Sequence, residues 1–426
     1  MRRLVQCFLV GLAFVCSWVQ ALERVSPETL DLSPAQLKVI RAELERRAIS
    51  KEMPGAVFLV ARYGKIGAIE AIGLQDTEKG LRMREDSIFR IASMTKPIVS
   101  VAAMMLIEQG RLALRDPVAK YLPEFKSMQV AVEERDSEGK VAVRYEPART
   151  TMTIHDLFRH TSGLTYGSFD NSFVDKLVVD GGILGPDQTL AEQIRKLAKL
   201  PLKHHPGSTF DYSLSVDVLG RIVEVVSGEE LDQFIKKNIT DPLKMSDTGF
   251  WVPPASHDRI AYPQIDRATG KPYFVRPVET RPKKLNPGGG MVSTALDYVR
   301  FCQMLLNGGE LDGVRLLSPM SVELMTADHL PPQVKFTPRY YASRNVLTPM
   351  PDHGMGFGLG FAVRTHAGRS ALHGAVGEYW WSGATGTNFV VDPKHQFVLI
   401  LLTQQPDRLA DYLALMRNMG YPLLKK

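Results

Sequence analysis

Apolar residues recur at helical spacing in the segment that follows Pro97. The positions that fit an i, i+3, i+4, i+7, i+8 pattern are Ile98, Val101, Ala102, Met105 and Leu106. Gly110 lies where such a helix is expected to end. Proline has no N–H and is tolerated only in the first turn, so the helix is predicted to begin close to Ser93.

The two ends of the chain carry patterns typical of strands. Residues 56–61 and 66–72 form a predicted hairpin with an apolar face, and residues 389–391 and 396–402 form another around an Asp-Pro turn. Before the first hairpin, residues 33–49 have the pattern of an amphipathic helix that begins with a Ser-Pro pair. Strands are therefore expected near both termini.

The middle of the chain is predicted to be mainly helical. Short apolar-periodic segments, broken by Gly and Pro, occupy residues 154–158, 190–197, 215–226 and 231–239. Ser215 is expected to cap the third of these helices. A charged hairpin is predicted at residues 128–134 and 141–145, with its turn at residues 136–140.

The first 21 residues differ from the rest of the chain. Two arginines precede an apolar run from residue 4 to residue 19, and a Val-Gln-Ala tripeptide ends the run. This order is typical of a secretory signal peptide, with cleavage expected after Ala21. The run is short for a membrane span, so no stable span is expected after cleavage; an uncleaved anchor is the alternative. We therefore predict a periplasmic or secreted protein.

Composition and charge narrow the choice of partners. The 426 residues are 44% hydrophobic and 23% charged, as in an ordinary globular protein. Loss of residues 1–21 removes two positive charges and no negative one, so the formal net charge falls from +6 to +4. This modest excess, without a long Lys/Arg run, gives no reason to expect nucleic-acid binding. Two of the three cysteines leave with the signal, and Cys302 is predicted to be a buried helical thiol without a disulfide partner.

Ser93 and Lys96 are three residues apart at the start of the helix that follows Pro97. Residues with this spacing share one face, so the Lys96 amine can reach and activate the Ser93 hydroxyl without a histidine. A second Ser-x-x-Lys, at Ser137 and Lys140, falls in the predicted hairpin turn and has no helix beneath it. Ser93 is therefore the candidate nucleophile. The alternative is that its hydroxyl only caps the helix.

Two further stretches carry candidate site residues. Tyr212 lies between a Pro-Gly turn and the helix predicted from residue 215, where its phenol could carry a proton; alternatively, its hydroxyl only satisfies a neighbour. Small residues at 382–384 would let a ligand lie against bare backbone, and an N–H there could complete an oxyanion hole. In the alternative interpretation this stretch is a glycine-rich bend, with Trp380 and Trp381 in the core.

The stretches around Ser93, Tyr212 and Trp381 together resemble those of serine hydrolases with the class C β-lactamase fold, and most of all the family VIII carboxylesterases. The likeness also includes residues 157–164, 288–294 and 356–360. It implies an α/β plus all-α fold, in which an antiparallel sheet is flanked by helices and the active site lies in a cleft. The implied domains are an α/β domain, residues 22–90 and 285–426, and a mostly helical domain, residues 91–284.

The resemblance also implies a role for each site residue. Ser93 matches the nucleophile, Lys96 its activating partner and Tyr212 the proton carrier. The N–H groups of Ser93 and Ala384 would form the oxyanion hole. The residues expected to contact substrate are Leu214, Trp381, Ser382 and Gly383.

Two departures from the β-lactamase pattern bear on the substrate. Leu214 stands where the resemblance implies an Asn that would bind an acylamino group, and Trp381 replaces a lysine that would pair with a substrate carboxylate. Both changes favour a neutral ester with an apolar acyl group. His373 is a rival of Trp381 for this position, but it lies eight residues before Trp381 and has the wrong spacing. Substrate-selecting loops are expected at residues 169–186 and 335–351.

Three functions remain open at this point. The first is an exported carboxylesterase that acts on a small-molecule ester or amide through an acyl-serine. The second is a β-lactamase or D-amino-acid peptidase, and the third is a non-catalytic binding protein, which the intact Ser93, Lys96 and Tyr212 disfavour. No cofactor or metal is expected, because the histidines lack metal-ligand spacing. Whether Lys96 or Tyr212 takes the first proton stays open.

Overall fold

The computed structural model describes residues 22–425 except 136–140, 267–268, 272, 274 and 344–348. The predicted signal peptide and the predicted turn at 136–140 lie outside the described residues. Within the described part, no helix has both the length and the apolar character needed to cross a bilayer.

An antiparallel sheet of eight strands forms the centre of the described structure. The strands formed by the described residues are β1 Gly55–Arg62, β2 Lys65–Asp76, β3 Leu81–Arg82, β4 Phe89–Arg90, β5 Gln129–Arg135, β6 Val141–Pro147, β7 Thr209–Phe210, β8 Val292–Ser293, β9 Glu310–Leu311, β10 Val314–Arg315, β11 Lys335–Phe336, β12 Met355–Phe357, β13 Ala362–Arg364, β14 Tyr379–Gly383, β15 Thr387–Asp392 and β16 Phe397–Thr403. The order in the central sheet is β12-β13-β14-β15-β16-β1-β2-β3, so the two ends of the chain meet where β16 pairs with β1. The strands predicted at both ends are confirmed.

Helices cover both faces of this sheet. The helices of the described residues are α1 Pro34–Ile49, α2 Thr95–Glu108, α3 Ile154–Phe158, α4 Phe173–Asp180, α5 Leu190–Leu197, α6 Ser215–Ser227, α7 Leu231–Ile235, α8 Ala295–Leu306, α9 Pro319–Thr326, α10 Pro338–Ser343 and α11 Leu409–Gly420. Gly420 of α11 packs on Leu399, whereas Tyr298 of α8 packs on Phe389, which is paired with Ile400. Neighbouring residues of a strand point to opposite faces, so α11 and α8 lie on opposite sides.

The helix predicted after Pro97 is present as α2. A 3₁₀ turn, Ala92–Met94, leads into it, and the chain leaves it through Gly110, whose φ of 69° suits glycine. α2 is buried on nearly every side and packs on α6, which gives Ser93 a rigid support. Cys302 lies in α8 and is fully buried, as predicted.

Two helix boundaries differ from the sequence predictions. Ser215 is the first residue of α6 rather than its cap, because its hydroxyl is bonded to the hydroxyls of Ser162 and Ser213 in the interior. The helix predicted over residues 231–239 is α-helical only to Ile235 and continues as a π-helical turn, Lys236–Thr240. The division into two domains stays a prediction.

Candidate active site

Ser93 and Lys96 lie side by side where the 3₁₀ turn meets α2. The Lys96 amine donates a hydrogen bond to Ser93 Oγ across 3.2 Å. The preceding residue, Ala92, has a φ of 44°, in the left-handed region that alanine rarely adopts. The contact between Ser93 and Lys96 that their spacing in the sequence predicted is present in the structure.

Two further oxygen atoms surround the Lys96 amine. It donates to the Tyr166 hydroxyl across 3.0 Å and to the backbone carbonyl of Gly288. Lys96 is only 1% exposed, so these contacts are made away from water. Tyr166 was not among the predicted site residues. The available signal was its position, two residues after the 157–164 segment that carries part of the family resemblance.

Tyr212 completes the group around the nucleophile. Its hydroxyl accepts the indole N–H of Trp381 across 3.2 Å, and the Ser93 side chain is near enough to lower the pKa of this phenol. The ring centroid of Tyr212 is 4.5 Å from the Lys96 amine nitrogen. The backbone N–H of Tyr212 donates to the Tyr340 hydroxyl. The structure therefore brings the three predicted catalytic side chains and Trp381 into one contact group.

Burial determines the proton affinities in this group. It lowers the pKa of Lys96 below the usual 10.5 of lysine, while the carboxylate of Asp217 opposes that shift. Burial raises the pKa of Tyr212, although hydrogen bonds from Ser93 and Trp381 oppose the change. It also raises the pKa of Tyr166. Burial therefore makes Lys96 easier to deprotonate than a free lysine and keeps both phenols protonated.

Asp217 is a buried carboxylate of α6 behind Lys96. Burial raises its pKa above 3.8, and the positive charges of Lys96 and Lys284 oppose this. Its Oδ2 has no hydrogen-bond partner among the described residues. A Cβ on Gly288 would lie 2.5 Å from this oxygen and 2.8 Å from the Tyr166 hydroxyl, so the carboxylate and the phenol converge on one glycine.

A cavity of about 550 Å³ opens over the nucleophile. Its lining includes Ser93, Tyr166, Phe169, Phe210, Tyr212, Arg339, Tyr340, Trp380, Trp381, Ser382 and Ala384. Phe169, Arg339 and Tyr340 come from the two loops that the sequence analysis expected to select the substrate. Among the described residues, no group of three or more His, Cys, Asp or Glu is placed to hold a metal ion.

Ser93 and Ala384 line the same cavity, as the oxyanion-hole prediction requires. Gly383 lies directly behind: a Cβ there would be 2.2 Å from the Ile91 carbonyl oxygen and from Thr387 Oγ1. Glycine is thus needed for strand β14 to approach the nucleophile segment. The donation of the two N–H groups to an oxyanion stays a prediction.

Two of the residues expected to contact substrate, Leu214 and Gly383, are not among those that line the cavity. Leu214 is 1% exposed and packs in the hydrophobic core, so the expected contact between its side chain and substrate is not supported. An apolar side chain is stable there, whereas an amide would have to be desolvated. The rival residue His373 faces Asn418 and does not line the cavity, whereas Trp381 does.

Comparison with known proteins assigns the arrangement to a family. The family model described as Beta-lactamase matches residues 38–419. The chain belongs to the beta-lactamase family. The resemblance seen in the motifs and the predicted fold class are thereby confirmed, and the chain is a serine hydrolase.

Relatives of this beta-lactamase family member include proteins named as esterases. It is 39% identical over 384 residues to protein Rv1367c of Mycobacterium tuberculosis strain H37Rv, covering 88% of this chain and 91% of that protein. It is 39% identical over 255 residues to esterase EstB of Burkholderia gladioli, covering 59% of this chain and 60% of EstB. The solved structure of EstCE1, described as a hydrolase with promiscuous acyltransferase activity, aligns with a TM-score of 0.74 and 26% identity over 91% of this chain and 99% of EstCE1.

Proposed function

We propose that this serine hydrolase is a carboxylesterase that cleaves short-chain or apolar esters through an acyl-serine at Ser93. The observation that carries the proposal is Trp381: its ring stands against Tyr212, with centroids 5.3 Å apart, in the position where β-lactamases are expected to carry a cation. An indole offers an apolar wall and no partner for a substrate carboxylate. The names of EstB and EstCE1 support the same activity class.

The first half of the reaction forms the acyl-enzyme. The neutral Lys96 amine takes the Ser93 proton while Ser93 Oγ attacks the ester carbonyl carbon, and the oxyanion accepts the N–H groups of Ser93 and Ala384. Tyr212 donates its proton to the leaving alcohol oxygen as the carbon–oxygen bond breaks. The Lys96 ammonium then returns a proton to the Tyr212 phenolate. In the second half, water attacks the carbonyl carbon of the acyl-serine and gives its proton to Lys96. The bond to Ser93 Oγ then breaks, Ser93 regains its proton and the acid is released.

The directions of the pKa shifts support Lys96 as the base in this scheme. Burial lowers the pKa of Lys96 and raises the pKa of Tyr212, so the amine loses its proton more readily than the phenol does. The choice that the sequence left open therefore falls on Lys96 as the first acceptor, with Tyr212 as the donor to the leaving group.

The first experiment compares p-nitrophenyl butyrate with nitrocefin on the purified protein. We expect rapid ester hydrolysis, slow nitrocefin hydrolysis and no ester turnover by Ser93→Ala. The matched control is Ser137→Ala, which removes the serine of the second Ser-x-x-Lys and should leave turnover unchanged. Unchanged activity in Ser93→Ala would refute the assignment of Ser93 as the nucleophile. Faster turnover of nitrocefin than of the ester would show that the protein acts as a β-lactamase. Failure of a fluorophosphonate to label Ser93 would favour a binding protein.

Export to the periplasm or beyond the cell is a second part of the proposal. It rests on the charged, apolar and small residues of positions 1–21. Cell fractionation followed by N-terminal sequencing tests it. We expect a mature protein that begins at Leu22, and a cytoplasmic protein with an intact N-terminus would contradict export.

A further inference from the structure

The cavity over Ser93 has one charged residue among its described lining, Arg339 of α10. The remaining wall is largely aromatic, and its rings belong to Tyr166, Phe169, Phe210, Tyr212, Tyr340, Trp380 and Trp381. A flat apolar group of a substrate can pack against such rings. The guanidinium of Arg339 is then the place in this wall where a polar atom of the substrate can bind.

Arg339 is fixed in place before any ligand binds. The carbon of its guanidinium lies 4.5 Å from the ring centroids of both Phe169 and Tyr340. Its Nη2 donates to Asp211 Oδ1 and to the Tyr340 hydroxyl, each across 2.6 Å. Because the group is already ordered, a further hydrogen bond to it costs little conformational entropy.

The guanidinium retains donors for a ligand. Its hydrogen bonds to described residues all use Nη2, and its Nε has no hydrogen-bond partner among them. The Arg339 side chain is 19% exposed and lines the cavity, so Nη1 is the donor available there. Guanidinium groups donate through five N–H bonds, and an unsatisfied one in a partly buried site favours an acceptor oxygen.

The charges behind Arg339 determine which acceptor fits. Lys203 contacts three carboxylates, those of Asp170, Asp175 and Asp211, at 2.7–3.2 Å. Arg339 pairs with the third of them, and its Nε lies 4.0 Å from the first, Asp170. Three carboxylates therefore surround the two permanent cations Lys203 and Arg339, and His204 also contacts Asp211. A substrate carboxylate at Arg339 would add a fourth acid to this cluster, so an uncharged oxygen is favoured.

We propose that Arg339 and the aromatic wall select esters whose acyl group is aromatic or otherwise flat and carries an uncharged oxygen acceptor at its far end. A ketone, an ether or an amide carbonyl would meet this requirement. The inference rests on the proposed acyl-serine at Ser93, because that bond places the acyl group in the cavity. It makes Arg339 a specificity residue rather than a member of the catalytic group.

Arylboronic acids test this inference, because they bond reversibly to a reactive serine and carry a single organic group. We would measure dissociation constants for 4-acetyl-, 4-isopropyl- and 4-carboxyphenylboronic acid on the full protein. The acetyl group also makes boron more acidic, so the acetyl-to-isopropyl affinity ratio is compared between wild type and Arg339→Met. If the acetyl oxygen accepts a hydrogen bond from the charged guanidinium, the acetyl-to-isopropyl affinity ratio should be roughly tenfold larger in wild type than in Arg339→Met. The carboxylate compound should bind more weakly than the acetyl compound.

The controls separate this inference from the proposed function. Lys335→Met, on the same segment but exposed, should keep the wild-type ratio. Arg339→Lys retains the positive charge beside Asp211 but lacks the planar guanidinium with its several N–H donors. This variant should lose most of the preference for the acetyl over the isopropyl compound, and it serves as the test if Arg339→Met folds poorly. Equal ratios in wild type and both Arg339 variants, or tightest binding of the carboxylate, would overturn the inference while leaving the esterase intact. No binding of any boronic acid to wild type would remove both.

Discussion

Trp381 donates its indole N–H to the hydroxyl of Tyr212, whose ring centroid lies 4.5 Å from the Lys96 amine nitrogen. Trp381 is thus linked through one phenol to the pair of Ser93 and Lys96. Trp381→Phe keeps an apolar ring and removes the donor, so we expect kcat for ester hydrolysis to fall roughly tenfold with little change in KM. Steady-state kinetics on p-nitrophenyl butyrate measure the effect, and an unchanged kcat would show that this hydrogen bond does not matter for turnover.

A charge at the same position should change the substrate preference. Trp381→Lys places an ammonium beside Tyr212, where it can pair with a substrate carboxylate. We expect kcat/KM for nitrocefin to rise relative to that for the neutral ester. The ratio of the two values is the readout, and a ratio equal to that of wild type would remove the argument that Trp381 disfavours carboxylate-bearing substrates.

The pH profile of kcat/KM should report the protonation of Lys96. The amine must be neutral to take the Ser93 proton, so activity is expected to rise with pH through a pKa below the usual 10.5 of lysine. The groups that surround Lys96 are Tyr166, Tyr212, Asp217 and His160, and burial lowers the pKa of His160, which keeps it neutral. Asp217 is therefore the negative charge that holds the Lys96 pKa up.

Removing the negative charge of Asp217 tests whether this pKa belongs to Lys96, because the direction of the shift can be predicted. Asp217→Asn should lower the pKa of Lys96 further, and the acid limb of the profile should move to lower pH. Asp187→Asn removes an exposed carboxylate and should leave the limb in place. A limb that moves to higher pH in Asp217→Asn, or does not move, would contradict the assignment of this limb to Lys96.

Gly383 is expected to tolerate no side chain. A Cβ would lie 2.2 Å from the Ile91 carbonyl oxygen, which belongs to the segment that carries the nucleophile, so Gly383→Ala must displace backbone. We expect about 1–3 kcal/mol of destabilisation together with a lower kcat, because Ala384 follows directly. At Gly249 the nearest atom would be 3.8 Å away, so Gly249→Ala is the matched control. Thermal melts and ester kinetics on both variants decide the point.

A stability prediction concerns Glu378, which is fully buried with Arg364 and Arg417. Its Oε1 accepts hydrogen bonds from both guanidinium groups, at 2.7 and 2.6 Å. Glu378→Gln leaves two buried cations without a counter-charge, so unfolding free energy should fall by about 3–5 kcal/mol. Urea denaturation measures it. Glu310, in an exposed pair with Arg315, provides the control, and Glu310→Gln should change stability by less than about 1 kcal/mol.

Local spacing made the contact between Ser93 and Lys96 predictable, since three residues on a helix fix the geometry. Tyr166 and Asp217 could not be found in this way, because they reach Lys96 from segments whose approach depends on how α2 packs against the rest of the fold. The prediction that Ser215 caps α6 failed for a related reason. Its hydroxyl is bonded to that of Ser213, two residues away, but also to that of Ser162, which no local sequence window contains. Leu214 likewise packs in an apolar core that its neighbours in the sequence do not reveal.

The pairing of β1 with β16 also affects the order in which the protein can assemble. Ala56 lies opposite Thr403, so the centre of the sheet closes only after all the residues between these two have left the ribosome. Contacts of such long range are slow to form. Until then, the buried strands and α2 are exposed and prone to association. Loss of even strand β16 would therefore remove the support of Ser93, although Ser93, Lys96 and Tyr212 all precede that strand by more than 180 residues.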